Sequence, residues 1–311
     1  MLKRLVKFNI TLIEEFKLFV ERFKDKKLES ICCPTCGPKA QKKLLHLYEG
    51  IGFYCCKSCN LNFASPRLIE SELHKLYEGD DWRGYDNYKN WNYVNWVESN
   101  ELSYRISRLN LKLVERFLKK DSRILDVGCD IGLNIKLLNE NGYPSKGVEI
   151  SSISSRIANE IIGVKVENTE LKDFSYQEKF EGVMLMDVLE HLYDPIAVLK
   201  DINIRLNNQG LIFINVPHHA GISASWKKFM HKIKFKKSFK HFGFPAHLYG
   251  FDKQSLNKML SKSGFKVLHF ESWPRAITRG KLNVLNYFFV NLIRKFALSD
   301  YIICVAKKAN K

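Results

Sequence analysis

Three groups of residues in this chain have the types and spacing that chemistry requires. Six of the eight cysteines fall between Cys32 and Cys59, and two C-x-x-C pairs among them, Cys33/Cys36 and Cys56/Cys59, have the spacing of a structural four-thiolate zinc site. Gly37 and Asn60 follow the pairs and tolerate the left-handed backbone of a metal knuckle. Cys32 and Cys55 each precede a pair, so a register error of one would make either a ligand in its neighbour's place. The second group is an acid-bearing glycine turn, Asp126, Gly128, Asp130 and Gly132, with Glu149 23 residues after Asp126. An acid at the tip of a second strand faces the crevice of such a turn and can accept hydrogen bonds from ribose hydroxyls. The third group is Asp187, Glu190 and His191, joined further on by His218, His219 and His247. It offers a general base for a hydroxyl acceptor, His191 or His247, or, in Asp187, Glu190 and His191, a set of oxygen and nitrogen ligands for a divalent ion.

Specific elements must hold these residues. Arg123 to Val127 reads as a strand, Leu133 to Asn141 as a helix and Gly147 to Ile150 as a second strand, which makes a βαβ unit around the glycine turn. Ser152 to Ile162 reads as a helix, Val164 to Val166 as a third strand and Phe180 to Asp187 as a fourth. A helix opens at Asp194-Pro195, with Asp as cap and Pro in the first turn. Leu211 to Val216 is a fifth strand, Phe251 to Ser263 a helix, Phe265 to Phe270 a sixth strand and Tyr301 to Ala306 a seventh. Between the cysteine pairs, Lys43 to Tyr48 and Ile51 to Tyr54 can form a hairpin. Leu68 to Tyr77 reads as a short helix, and a longer one runs from about Val97 to Lys119.

The turn Asp126 to Gly132 resembles motif I of the class I S-adenosylmethionine (SAM)-dependent methyltransferases, D/E-x-G-x-G-x-G, with Asp130 standing where that pattern has its middle glycine. Leu189 to Pro195, L-E-H-L-Y-D-P, resembles the L-E-H-x-x-D-P segment of the small-molecule type of these enzymes, and His247 opens an H-L-x-x-F segment similar to theirs. The resemblance implies an α/β fold, a Rossmann-like seven-stranded sheet with an antiparallel last strand, here carrying a small N-terminal zinc ribbon. It implies SAM as cofactor, with Asp126, Gly128, Asp130, Gly132, Glu149, Ile150, Thr169 and Asp187 as contacts; Asn168 or Thr169 would lie beside the adenine. The expected organisation is an amphipathic helix in 1–30, a zinc ribbon over 31–66, a helical and aromatic cap over 67–120, and a SAM-binding domain over 121–311 with insertions at 220–249 and 275–299.

Lys and Arg number 50 against 33 Asp and Glu, a formal net charge of +17, which favours an anionic partner. No run of 18 apolar residues predicts a transmembrane helix. Acidic residues interrupt any signal-peptide core near the N-terminus, so a reducing, cytoplasmic setting is expected. Residues 1–23 and 280–298 are the segments suited to peripheral membrane contact, although each can equally pack on its own domain. The expected activity is methyl transfer to a small or carrier-linked acceptor, an O-methylation in glycan, lipid or natural-product assembly. The alternatives are a zinc-ribbon RNA methyltransferase and a non-catalytic membrane-surface module. Nucleic acid is the weaker partner because no N/D-P-P-Y follows the fourth strand; Asp187-Val188-Leu189-Glu190 stands there.

Overall fold

The computed structural model describes residues 26–48, 50–78, 102–177, 179–221, 247–273 and 299–309. The expected helix over 2–23, the aromatic stretch 79–96, and nearly all of the insertions 220–249 and 275–299 lie outside them.

Seven strands form one mixed sheet. They are β6 (Ile124–Val127), β7 (Ser145–Val148), β8 (Val166–Glu167), β9 (Phe180–Met186), β10 (Leu206–Pro217), β12 (Phe265–Trp273) and β13 (Tyr301–Lys308), in the spatial order β12-β13-β10-β9-β6-β7-β8. β10, β9, β6, β7 and β8 are mutually parallel, whereas β13 is antiparallel to both its neighbours. The expected Rossmann-like sheet with an antiparallel last strand is present. β6 is buried at every position, as a parallel strand covered on both faces must be, and its residues are apolar apart from the buried Asp126.

The helices follow from their caps and patterns; the one after the glycine turn, α3 (Leu133–Glu140), buries Leu133, Ile135, Leu137 and Leu138. α5 (Pro195–Arg205) starts where the Asp194 side chain accepts the Ala197 N–H at 3.0 Å, with Pro195 in its first turn. α6 (Lys253–Lys262) opens on a capping box between Asp252 and Ser255. Other boundaries differ from the sequence reading. β7 starts two residues earlier than Gly147, because Ser145 and Lys146 pair with Ile124 and Leu125, and the Lys146 ammonium lies 4.1 Å from the Tyr176 ring centroid. The helix expected over Ser152 to Ile162 is α-helical only through Ile157, as α4 (Ser152–Ile157), and ends in a π-turn over Ala158–Ile162. Leu68 belongs to a strand and not to the following helix, α1 (Glu70–Glu78). Helix α2 spans Leu102–Glu115, shorter at its end than Lys119.

The cysteine region folds as the expected hairpin and extends it. β2 (Lys42–Tyr48), β3 (Ile51–Cys56) and β4 (Asn62–Ser65) form an antiparallel sheet whose fourth strand, β11 (Tyr249–Gly250), comes from the far end of the chain. A two-residue pair, β1 (Leu28–Glu29) with β5 (Arg67–Leu68), closes the ribbon. Phe53, Leu61 and Phe63 of the ribbon share one buried cluster with Leu189, Phe251 and Leu256 of the larger sheet's surroundings. The two sheets therefore lose apolar area to each other, and an element disturbed in one exposes surface in the other.

Among the described residues, no helix is long and apolar enough to cross a membrane.

Candidate active site

At the carboxyl ends of β6, β7 and β9 lies a cavity of about 500 Å³, walled in part by Gly128, Asp130, Glu149, Ile150, Thr169, Asp187 and His191. This is where open α/β sheets bind ligands, and the volume lies within the usual range for small-molecule sites.

Close approach of backbones explains the turn's composition. Gly128 has φ +67°, and a Cβ there would come within 2.8 Å of Val188 Cγ2. Asp130 adopts φ +51°, a left-handed conformation that Asp accepts more readily than most residues. Its backbone N–H donates to Glu149 Oε2 at 2.9 Å, and its Oδ1 accepts from Ser154 Oγ at 2.9 Å. The side chain that replaces the family's middle glycine is thereby turned toward the start of α4 while still forming part of the cavity wall. Glu149 Oε1 accepts the Ser151 N–H at 2.8 Å, so this carboxylate ties the turn to the next helix and fixes its own orientation.

Two of the expected cofactor contacts stand behind the wall. Asp126 is 1% exposed and accepts from Asn134 Nδ2 at 3.1 Å. Gly132, at φ +79°, faces Val164, whose Cγ2 would lie 2.5 Å from an added Cβ. Both residues shape the turn from beneath. Burial lifts the Asp126 carboxyl from its ordinary 3.8 to about 7. The native state then binds this proton more tightly than the unfolded chain does, so the group's stabilising contribution is full below about pH 4 and is lost as pH rises toward 7. Asp126→Asn is expected to remove this dependence, retaining up to roughly 4 kcal/mol that wild type loses across that window. Urea unfolding of both proteins at pH 4 and pH 8 measures the difference.

The far end of the cavity is built by the loop after β9. Asp187 has φ +58°, and its Oδ2 accepts from Asn215 Nδ2 at 3.2 Å. Its side chain is exposed at the cavity surface, and the protein packed around the mouth pushes its carboxyl above the usual carboxylate range. Glu190 is 1% exposed, and among the described residues neither carboxylate oxygen accepts a hydrogen bond; His191 Nε2 lies 3.8 Å from Oε1. Burial, and then the Asp187 charge, push this carboxyl well above the usual range. The His191 and His247 rings meet edge to face with centroids 4.6 Å apart, so the two histidines singled out in the sequence are neighbours although 56 positions separate them. His218 is taken up elsewhere: its Nδ1 lies 3.1 Å from the Ser299 carbonyl, between β10 and the approach to β13. Asn168 also has another task, donating to the Glu149 and Ile150 carbonyls at 2.8 and 3.0 Å, which leaves Thr169 as the member of that pair on the cavity wall.

Sequence reasoning missed the wall contributed by α1, where Glu70, Leu73 and His74 face the cavity. The i, i+4 placement of Glu70 and His74 on one helix face was the available signal. It also missed Arg67. This guanidinium, nearly buried, donates to Glu29 Oε1 at 2.8 Å, to the Tyr193 carbonyl at 2.8 Å and to the Tyr249 hydroxyl at 2.7 Å, and it stacks 4.0 Å from the Tyr193 ring centroid. Arg67 thus clamps the ribbon to the loop that carries His191. The strand carrying His247's successors is held by the ribbon too, through Tyr249–Phe63 pairing, and the Glu190 carbonyl accepts the Leu248 and Tyr249 N–H groups at 2.8 and 3.2 Å.

In the ribbon, the sulfurs of Cys33, Cys36, Cys56 and Cys59 all lie within 4.8 Å of one another. Tetrahedral zinc with ~2.3 Å bonds needs sulfurs ~3.8 Å apart, and Cys33 and Cys59 stand at 3.6 Å. The two knuckles match: Gly37 N–H bonds to the Cys33 carbonyl and Asn60 N–H to the Cys56 carbonyl, each at 2.8 Å, with φ +79° and +65°. Cys32 is exposed, and Cys55 directs its thiol to the Cys56 carbonyl; neither joins the cluster. The residues present fit a four-thiolate metal centre.

The model of a family described as "Methyltransferase domain" matches residues 100–270, more than half of the chain. The chain belongs to this methyltransferase family. The cavity over the glycine turn lies at the carboxyl ends of the parallel strands, where open α/β sheets bind ligands. Similar proteins include a tRNA U34 carboxymethyltransferase of Campylobacter jejuni, 30% identical over 120 residues covering 35% of this chain and 40% of that protein. A ubiquinone biosynthesis O-methyltransferase of Parvibaculum lavamentivorans is 31% identical over 101 residues, covering 30% and 40% respectively. These matches span about 40% of the length of each relative. Among solved structures, magnesium protoporphyrin IX methyltransferase from Synechocystis PCC 6803 with bound SAH aligns at 14% identity and a TM-score of 0.47, covering 77% of this chain and 99% of that one.

Proposed function

We propose that this methyltransferase acts on a hydroxyl oxygen of a small or carrier-linked acceptor, in the assembly of a glycan, lipid or natural product. The observation that carries this reading is the pairing, in one cavity, of the Glu149 end beside the glycine turn with the His191 end beside Glu190 and His247. SAM supplies an electrophilic methyl: the acceptor oxygen forms a bond to that carbon as the carbon–sulfur bond breaks, and the electron pair stays on sulfur. Glu149, held by two backbone N–H groups, orients the ribose hydroxyls, and Thr169 with α1 flanks the adenine. Asp130 and Asp187 supply the negative field for the ammonium and sulfonium. The acceptor proton leaves at the other end, beside the Glu190, His191 and His247 group. The remaining requirement is position, since in-line displacement demands near-attack distance. Arg67, by fixing the Tyr193 backbone, holds the His191 loop to that geometry.

For the ribbon, we infer a structural zinc ion on Cys33, Cys36, Cys56 and Cys59. All four positions are filled by thiolates, which leaves no site for substrate.

A second reading, methylation of RNA, draws on the +17 charge and on the named activity of the Campylobacter relative. Filter binding to total tRNA across a salt series separates the two. The O-methylation reading predicts affinity no tighter than about micromolar at physiological salt, the level of non-specific electrostatic binding. Tighter, salt-graded binding favours RNA.

A further inference from the structure

We propose that Glu190, His191 and His247 form a second metal site, one that binds a divalent first-row transition ion at the acceptor end of the cavity. One ligand atom from each of the three lies within 4.8 Å of the other two, and His191 Nε2 stands 3.8 Å from Glu190 Oε1. The independent observation is Glu190. Its side chain is 1% exposed, and among the described residues neither oxygen accepts a hydrogen bond of good geometry. A buried carboxylate so placed is costly whether or not it is ionised, because its lone pairs have given up water for little more than the His191 ring at 3.8 Å. A cation between it and two imidazoles answers that cost.

The sequence pointed to a different set, Asp187, Glu190 and His191. The fold corrects it: the Asp187 carboxylate is engaged by Asn215, and His247 takes its place. The ribbon sheet arranges this exchange by pairing Tyr249 and Gly250 with Phe63 and Asn62, immediately after His247. A second cluster, Glu70, His74 and Glu170, has a salt link between His74 and Glu170 at 3.4 Å and exposed or half-exposed side chains. It lacks the orphaned group.

Two imidazoles and one carboxylate suit manganese, iron, cobalt or zinc ahead of magnesium or calcium, which prefer oxygen shells. Three protein ligands leave coordination positions for substrate, and His191 lies on the cavity wall. The site thereby names an acceptor class, a hydroxyl beside a second oxygen, as in a vicinal diol or an α-hydroxy acid, which can chelate the ion. Coordination lowers the hydroxyl pKa, so its proton passes to solvent water before the oxygen attacks the methyl carbon. This deepens the O-methylation reading and rests on it for the substrate, but the ion itself can be tested without any acceptor.

Mn²⁺ is the probe, since it favours nitrogen and oxygen over the soft thiolates of the ribbon. The purified full chain is titrated with Mn²⁺ while free ion is followed by electron paramagnetic resonance. The expected result is one bound ion per chain, showing nitrogen coupling from imidazole in pulsed spectra, with affinity reduced at least tenfold in Glu190→Gln and in His247→Asn. SAM calorimetry on the same variants verifies that they are folded, and His247→Asn alone suffices should Glu190→Gln fail to fold. Ion that stays free at millimolar concentration, or binding unchanged by the substitutions, overturns the proposal. Mn²⁺ bound as expected, with no methyl transfer to any diol or hydroxy acid, would leave the metal site standing and remove the O-methylation reading.

Discussion

Replacing Cys59 with Ser is expected to lower the melting temperature by at least ~10 °C and to release the acceptor end of the cavity before the rest of the fold. Cys59 is fully buried in the four-thiolate cluster, and structural zinc is worth about 10–16 kcal/mol in small domains. Even a third of that is a large share of a typical 5–15 kcal/mol stability, and each kcal/mol moves the midpoint of a chain this size by roughly 2–4 °C. The local pattern is the stronger test. The ribbon holds the His191 end of the cavity through Arg67 on the Tyr193 carbonyl and through β4 on β11. Hydrogen exchange in the variant should therefore rise first at Leu248 and Tyr249, whose amides bond to the Glu190 carbonyl, while β6 and β9 stay protected. Exchange that rises evenly across both sheets would mean that the ribbon has no special tie to the site.

Gly132→Ala is the second large effect. At φ +79° an alanine costs about 1–2 kcal/mol in backbone strain, and its methyl would sit 2.5 Å from Val164 Cγ2, adding ~1–3 kcal/mol for overpacking. Val164 and Ala158 hold that spot from the π-turn and the lead into β8, so relief requires moving the glycine turn itself. A loss of roughly 2–4 kcal/mol in urea unfolding is expected, together with weaker SAM binding, because the displaced turn carries Gly128 and Asp130. A variant as stable as wild type would show that Val164 yields and that the turn is not held from beneath.

The residues explain which parts of this molecule were readable. Parallel strands buried on both faces, such as Val183–Leu185 within β9, announce themselves as apolar runs, and metal knuckles repeat a short local spacing. The glycine turn's tie to Glu149 and the thiolate set depend on contacts within a few dozen residues. The features that escaped depend on distant contacts. β11 is two residues long and owes its existence to Phe63 and Asn62, far earlier in the chain. Arg67 looks like a break after Ser65-Pro66 until Tyr193 and Tyr249 come to meet it. The early start of β7 escaped for another reason: Ser145 and Lys146 are polar, so their pairing with Ile124 and Leu125 leaves no apolar mark in the sequence. Asp130 could be recognised as a departure from the glycine pattern, but not as a residue that adopts the glycine's own left-handed conformation and anchors Ser154.

The central claim is that the cavity over Asp126–Gly132 holds SAM. Isothermal titration calorimetry of the full chain with SAM tests it most directly. The account predicts one SAM bound per chain, with affinity falling at least tenfold in Glu149→Ala, which removes both the cavity's acid and the tie that holds the Asp130 and Ser151 N–H groups in place. No heat from wild type at millimolar SAM, with the protein folded by circular dichroism, would contradict it.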